Sequence, residues 1–323
     1  PMTEYAKRIK GRAVVNNPAN RFSDTHHEAF DDGWGAQGDE SDAPATELIA
    51  DASRSVLVYN QSPDVPFDRS VNPYRGCEHG CVYCYARPTH AYLDCSAGLD
   101  FETRIFYKAG AAELLAQELG KPGYQCQPIA LGVNTDAYQP AERKLKITRD
   151  ILEVLLAHRH PVGIVTKSAL VERDLDLLGD MAKRNLVHVM VSVTSLDKRL
   201  ARSMEPRAAA PRRRLESIRR LSAAGIPVGV LVAPVVPVLN DGEIESILTQ
   251  VRRAGALSAG YVMLRLPHEV KDLFRSWLQR HVPLKADHVM KRIRDIRGGS
   301  ENDSQFGRRM RGTGVYAELI QKR

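Results

Sequence analysis

From about residue 69 onward, short apolar runs alternate with amphipathic stretches along the chain. The runs occupy residues 70–74, 128–134, 162–166, 187–194, 228–233 and 260–265, each long enough for one buried strand and too short for a buried helix. Between them Ile244, Ile247, Leu248 and Val251 recur at the helical interval, with Asn240 or Asp241 placed to cap the helix that carries them. Val270, Leu273, Phe274, Trp277 and Leu278 repeat the stripe on a later helix, and Leu215, Ile218 and Leu221 mark the helix before the fifth run. Such stripes are core. Six βα units in succession predict a parallel sheet that either curls toward a barrel or opens into a doubly wound form, because the crossovers are right-handed. Both forms hold ligands at the carboxyl ends of their strands, so the chemistry is expected just after each apolar run.

The first 50 or so residues show no periodicity and are rich in Gly, Pro and Asp, which predicts an extended or partly disordered arm. Phe22 and Trp34 are its candidate anchors on the body. The tail from Gly298 is glycine-rich and basic, predicting a loop and a short final helix. The chain thus divides into an arm over 1–55, an α/β body over 56–297 and a basic C-terminal extension over 298–323.

With 323 residues, 43% hydrophobic and 26% charged, the chain is long enough to bury a full core. No apolar run approaches the roughly 20 residues of a membrane span. The opening PMTEYAKRIK, in which Pro1 ahead of Met2 reads as an expression remnant, lacks the apolar stretch of a secretory signal. The expectation is a cytoplasmic protein with no membrane contact. Residues 1–60 hold six Lys or Arg against ten Asp or Glu, leaving 40 against 29 in the rest. That basic excess permits a polyanionic partner.

Of five cysteines, three lie within eight residues, at Cys77, Cys81 and Cys84. In a reducing compartment such clustering favours metal over disulfides. Their loop, NPYRGCEHGCVYCYARPTHAYL, directly follows the first run. Thiolates separated by three and then two residues can converge on three corners of an iron–sulfur cube, and without an adjacent fourth cysteine one iron stays open to a ligand. Gly76 and Gly80 suit the tight turns required, since glycine takes positive φ without steric cost. The alternative is structural zinc, with Cys95, or His79 and His90, completing four ligands.

The CxxxCxxC spacing, with an aromatic before the last cysteine and a six-unit βα array around it, resembles the radical S-adenosylmethionine superfamily. GCEHGCVYCYARPTH, together with VNTDAYQP and TKS, further resembles its spore photoproduct lyase-like branch, over about residues 60–315. The resemblance implies a partial (β/α)6 barrel with a 4Fe-4S cluster on Cys77, Cys81 and Cys84, and S-adenosylmethionine chelating the fourth iron through its amino and carboxylate groups. Electron transfer into the sulfonium then yields methionine and a 5'-deoxyadenosyl radical, so a reductant such as flavodoxin or ferredoxin is an implied partner. By the same match Tyr83 is the aromatic near the adenine, while Asn134, Thr135 and Asp136 are polar groups for the cofactor's amino end. Lys167 matches the carboxylate-binding lysine. Spore photoproduct lyase itself quenches its substrate radical with a cysteine near the end of the second strand, and residues 128–136 here hold none. Cys95, Cys126, Tyr85, Tyr138 and Tyr261 stand as candidates for that role.

Further candidates follow from the strand pattern. Ser192 and Thr194 alternate with valines and so share one face, from which their hydroxyls reach the cofactor if that face is inward. Glu205 and Arg207 of MEPR form a candidate polar clamp at the same rim, with Arg207 forking onto a carboxylate. Pro234 and Pro237 hold a rigid rim suited to an adenine wall. Three functions fit. The first is a radical enzyme acting on nucleic acid, with Arg212, Arg213, Arg214, Arg219, Arg220, Arg308, Arg309 and Arg311 tracking phosphates. The second is a radical enzyme acting on a protein or small molecule, and the third a zinc- or cluster-stabilised nucleic-acid-binding module without turnover.

Overall fold

The computed structural model describes residues 9–22 and 44–323. Ten strands occur among them: β1 (Glu47–Ala50), β2 (Leu57–Tyr59), β3 (Arg69–Val71), β4 (Tyr74–Arg75), β5 (Arg104–Tyr107), β6 (Ile129–Leu131), β7 (Val162–Thr166), β8 (Val187–Ser192), β9 (Val228–Val235) and β10 (Ser258–Met263). One sheet runs β10-β9-β8-β7-β6-β3-β2, parallel throughout except that β2 is antiparallel to β3. Its six parallel strands are the six predicted runs, laid side by side in chain order. The edges β2 and β10 do not pair, so the sheet is the unclosed form of a barrel.

The apolar pattern explains this sheet. Val187, Val189 and Val191 of β8, and Val228, Val230 and Val232 of β9, are buried where the helices pack on the sheet, and β-branched side chains fit that pleated surface. The predicted stripes fall on the helices Pro211–Ala223, Ile244–Arg253 and Val270–His281, with Ile218, Ile247 and Trp277 among the buried residues. Val315–Gln321 is the expected final helix. None of the helices among the described residues is long and apolar enough to cross a membrane.

A second sheet, β1-β5-β4, was not foreseen. Glu47–Ala50 lies in the stretch read as an extended or partly disordered arm, yet it pairs in parallel with β5. A four-residue strand with exposed ends carries too little alternation to be recognised. Earlier in the arm, Arg12, Ala13 and Val14 are buried. Phe22 stays largely exposed, with its ring 5.1 Å from that of Tyr92, while Trp34 lies outside the described residues.

Two further expectations are corrected. Asn240 and Asp241 do not cap the helix Ile244–Arg253. The fully buried Asn240 side chain instead accepts the Val236 amide at 2.6 Å and donates to the carbonyls of Thr194 at 2.7 Å and Pro234 at 2.9 Å. It thereby locks the end of β8 to the corner containing the cis Ala233–Pro234 bond. Asp241 accepts the Tyr316 hydroxyl. The basic extension, for its part, is structural in large measure. Arg297 donates to the carbonyls of Leu264, at 2.7 Å, and Arg309, at 2.8 Å, and Arg309 pairs with Asp64. The tail therefore bridges β10 to the segment between β2 and β3, across the two unpaired edges.

Candidate active site

The cysteine loop begins directly after β4 and is shaped by glycines. Gly76 and Gly80 have φ of +83° and +67°, a region glycine enters at no steric cost. At Gly80 even the space is occupied: an added Cβ would lie 2.7 Å from a Glu102 carboxylate oxygen. All three cysteines of the loop are free thiols, Cys77 and Cys81 buried and Cys84 half-buried. Burial, reinforced by Asp136 and the sibling thiols, pushes Cys77 well above the usual thiol range. Burial also pushes Cys81 up to about 12, although Lys167 opposes it.

A buried scaffold holds the loop from behind. Arg87, fully buried, donates to the carbonyls of Cys81 at 2.9 Å, Ala97 at 3.1 Å and Gly98 at 2.9 Å, and pairs with the equally buried Glu102 at 2.5 Å. Arg12 reaches in from the arm to donate to the Glu102 carbonyl at 2.7 Å. From the other side, Thr135 and Gln139 both donate to the Gly76 carbonyl, at 2.6 and 3.2 Å, and the Gln139 side chain accepts the Glu78 amide at 2.9 Å. Sequence reading missed Arg87, Glu102, Arg12 and Gln139.

A second network lies against the loop. Glu205 is buried; it accepts the Tyr83 hydroxyl, the Thr194 hydroxyl at 2.7 Å, and Arg214. Burial would raise the Glu205 carboxyl, but Arg214 and Lys167 hold it below the ordinary carboxylate value. The Lys167 ammonium sits 5.9 Å from the centre of the Tyr83 ring. Its desolvation is outweighed by Cys81 and Glu205, so its pKa is raised and it stays charged.

Comparison with known proteins decides the family. The family model described as the Radical SAM superfamily matches residues 71–251. The chain belongs to the radical SAM superfamily. An uncharacterized protein of Mycobacterium tuberculosis is 41% identical over 221 residues, covering 68% of this chain and 65% of that protein. The chain thus spans less than two thirds of the length of this relative. An uncharacterized protein of Methanocaldococcus jannaschii is 28% identical over 54% of this chain and 62% of its own. Among solved structures, a tyrosine-to-phenylalanine mutant of spore photoproduct lyase matches with a TM-score of 0.54 and 14% identity, over 78% of this chain and 80% of that one. A spore photoproduct lyase mutant with bound AdoMet and dinucleoside spore photoproduct matches with a TM-score of 0.54 and 15% identity, over 73% and 66%. These likenesses show the fold.

The cofactors of a radical SAM protein are a 4Fe-4S cluster and S-adenosylmethionine, and the residues present fit them. Three thiols on one loop would supply the sulfur donors. Buried thiols with raised pKa values become thiolates when iron supplies the compensating charge. Among the described residues no three His, Cys, Asp or Glu side chains gather as tightly as one metal ion requires, whereas corners of a larger cluster stand further apart. Two extra ligands of the zinc alternative, His79 and Cys95, are engaged elsewhere, while His90 is bonded through Nε2 and keeps a buried Nδ1 without a partner. His79 is 3.3 Å from Asp136, the Cys95 sulfur accepts Arg104 at 3.1 Å, and His90 donates to the Arg104 carbonyl at 3.0 Å.

The other predicted site residues divide clearly. Asn134 is exposed just past β6, its backbone N–H donating to the Asn72 side-chain oxygen at 2.8 Å. Asp136 is buried, accepting the Thr166 hydroxyl and the Lys167 amide, both at 2.8 Å. Against desolvation, His79 and these donors hold its carboxyl down to about 2. Ser192 is buried at the end of β8, and its carbonyl accepts Arg214 at 3.0 Å. The expected Glu205 and Arg207 clamp is not formed: Arg207 pairs with the buried Glu78 at 3.1 Å, so the carboxylate it grips is the chain's own. Arg214 is buried, contrary to the phosphate-tracking reading of its run; it falls four residues before Ile218 and seven before Leu221, a periodicity that marks the buried stripe. Arg213 and Arg220 pair with Glu172, Arg219 with Glu216, and Arg308 with Asp303. Of the radical-relay candidates, Tyr138 is fully buried, Tyr261 is partly buried and Cys126 is exposed ahead of β6, at its amino end. Tyr85, adjacent to Cys84, donates to the Val133 carbonyl beyond the other end of that strand.

His90 gives the scaffold a pH dependence. Burial lowers its pKa from 6.5 to about 4, with Arg104 and Arg87 adding to the effect and the Arg104 carbonyl and Asp100 opposing it. The unfolded chain then binds a proton that the folded chain refuses, so this contribution is whole above pH ~6.5 and is lost as pH falls toward ~4, about 3 kcal/mol at most. Urea midpoints of wild type and His90→Gln should converge as pH drops through that window. Parallel curves would refute the assignment.

Proposed function

We propose that this chain is a radical SAM enzyme that binds its 4Fe-4S cluster through Cys77, Cys81 and Cys84 and cleaves S-adenosylmethionine reductively. One observation carries the reading: three free thiols share a glycine-turned loop, held from behind by the Arg87–Glu102 pair and faced by Lys167, Tyr83 and Glu205. When bound, the cluster supplies the reducing electron that breaks the sulfonium C–S bond. The chain's own residues do the positioning. Lys167, kept charged by Glu205 and Cys81, offers a cation to the cofactor's carboxylate. Asn134 offers its exposed side-chain amide at the same rim. Tyr83 presents its ring face, its hydroxyl anchored on Glu205 and its rotamer thereby fixed. Thr135 acts one step back, by fixing the Gly76 carbonyl, and Ser192 by anchoring Arg214. Arg207 acts through Glu78.

For the substrate, likeness to a lyase solved with a dinucleoside photoproduct supports a nucleic acid. Internal pairing of Arg213, Arg214, Arg220, Arg308 and Arg309 removes most of the arginine run as its phosphate track. The lack of a cysteine in residues 128–136 separates this chain from the hydrogen-atom donor arrangement of the lyase, and Tyr85 occupies that end of β6 instead.

The test is anaerobic reconstitution with iron and sulfide, followed by assay of metal, acid-labile sulfide and 5'-deoxyadenosine under dithionite. About four irons per chain and reductant-dependent deoxyadenosine are expected. Zinc without cofactor cleavage would leave the nucleic-acid-binding module standing. Titration of the same preparation with oligonucleotide at low salt addresses the substrate, and no binding there removes the nucleic-acid reading.

A further inference from the structure

Many arginines of the basic surface are matched with carboxylates, and several cations that are not share one concavity. A cleft of about 970 Å³ opens beside the cysteine loop, lined by the basic side chains of Lys10, Arg12, Arg199, Arg202, His281 and Lys285 with Asp197 as its acid. Asp197 is already engaged, accepting the amides of Arg199 at 2.6 Å and Leu200 at 3.1 Å to cap the helix Lys198–Met204. Lys10, Arg199, Arg202 and Lys285 are exposed and make no ion pair among the described residues. Cations that outnumber the single carboxylate of the described lining leave a net positive field in the concavity.

The walls of the cleft lead straight to the candidate cluster ligands. The helix that carries Arg199 and Arg202 ends at Met204, whose carbonyl accepts the Val82 amide at 3.0 Å, one residue from Cys81. On the other wall Arg12 donates to Glu102, Glu102 pairs with Arg87, and Arg87 donates to the Cys81 carbonyl. Between them, Leu200, Leu239 and Val282 pack on the apolar cluster that contains Cys81 and Val82. The cleft thus backs onto the loop through two bonded routes and one packed layer.

We propose that this cleft is the docking site of an acidic electron-carrier protein that reduces the cluster, an inference that rests on the cluster assignment above. Its lining favours a protein over a nucleic acid. Among the described residues it has no Phe, Tyr or Trp on which a base could stack. It has instead an apolar floor within a ring of charge, and Leu284 stands fully exposed beside Lys285, the anatomy of a protein interface. The electrostatic excess steers encounter, and the apolar floor holds the complex. In the exchange one electron leaves the reduced flavin or iron–sulfur centre of the carrier and enters the cluster. The carrier is oxidised by one electron, the cluster is reduced by one, and no atom is transferred.

The experiment compares the reconstituted full chain with Arg199→Glu/Arg202→Glu and, on a separate helix, with Lys285→Glu. Direct titration with a flavodoxin at low ionic strength should show affinity weakened about tenfold or more in the double variant, and wild-type affinity falling as salt rises. Flavodoxin-driven release of deoxyadenosine should slow in parallel. Release driven by dithionite, which needs no docking surface, should stay within about twofold, which also verifies folding. Unchanged flavodoxin affinity in both variants overturns the proposal. So does loss of poly-dT binding with flavodoxin binding intact, since the cleft is then a nucleic-acid groove. If dithionite drives no release from wild type, the cluster reading fails by itself, and the flavodoxin titration still decides the cleft.

Discussion

Replacing Arg87 with alanine is expected to destabilise the protein by about 3–5 kcal/mol, a fall of roughly 10 °C in the unfolding midpoint. The guanidinium and its Glu102 partner are both fully buried, and deleting one member of such a pair leaves an uncompensated charge out of reach of water. The same change orphans the carbonyls of Cys81, Ala97 and Gly98, which Arg87 now satisfies. Burial already pushes the Glu102 carboxyl up against the pull of Arg87 and Arg12, so without Arg87 it should take a proton. Arg87→Met combined with Glu102→Leu should recover part of the loss, because the unpaired charge is gone while the three carbonyls are still unmet. Urea unfolding of the three proteins measures this. A single variant within 1 kcal/mol of wild type, on the order of a surface substitution, would show that the pair is incidental. Iron retention is the second readout, since Arg87 holds the Cys81 carbonyl.

Cys81→Ala is expected to cost at least about a hundredfold in deoxyadenosine release and to leave the protein unable to hold a full cluster, because a three-ligand cube loses a corner with no adjacent thiol to replace it. Cys95→Ala and Cys126→Ala serve as controls. Cys95 is engaged with Arg104 and Cys126 is exposed, so both should keep wild-type iron content. The comparison separates cluster loss from a general effect of removing thiols. Equal iron in Cys81→Ala and wild type would refute the ligand assignment, and loss of iron in Cys95→Ala would enlist a fourth cysteine and close the open iron.

What the sequence determined by itself was whatever depends on neighbours along the chain. Apolar runs of strand length separated by helical stripes produced the six parallel strands in their order, since each run must be buried on both faces. The three cysteines were legible because their spacing lies within one loop, and Gly76 and Gly80 because a tight turn needs positive φ locally. Short strands such as β1 and β4 left no such trace: their stability comes from β5, on which both depend for hydrogen bonds. Only the tertiary structure decided which charges meet. Arg207 finds Glu78 across 129 residues of chain, Arg309 finds Asp64 across 245, and Arg214 leaves an apparently solvated run to pair with Glu205 inside. A side chain's type states that it is a cation; where it is buried, and beside which carboxylate, follows from how the βα units stack. For the same reason the unpaired cations of the cleft could be told from the paired ones of the surface only once the chain was folded.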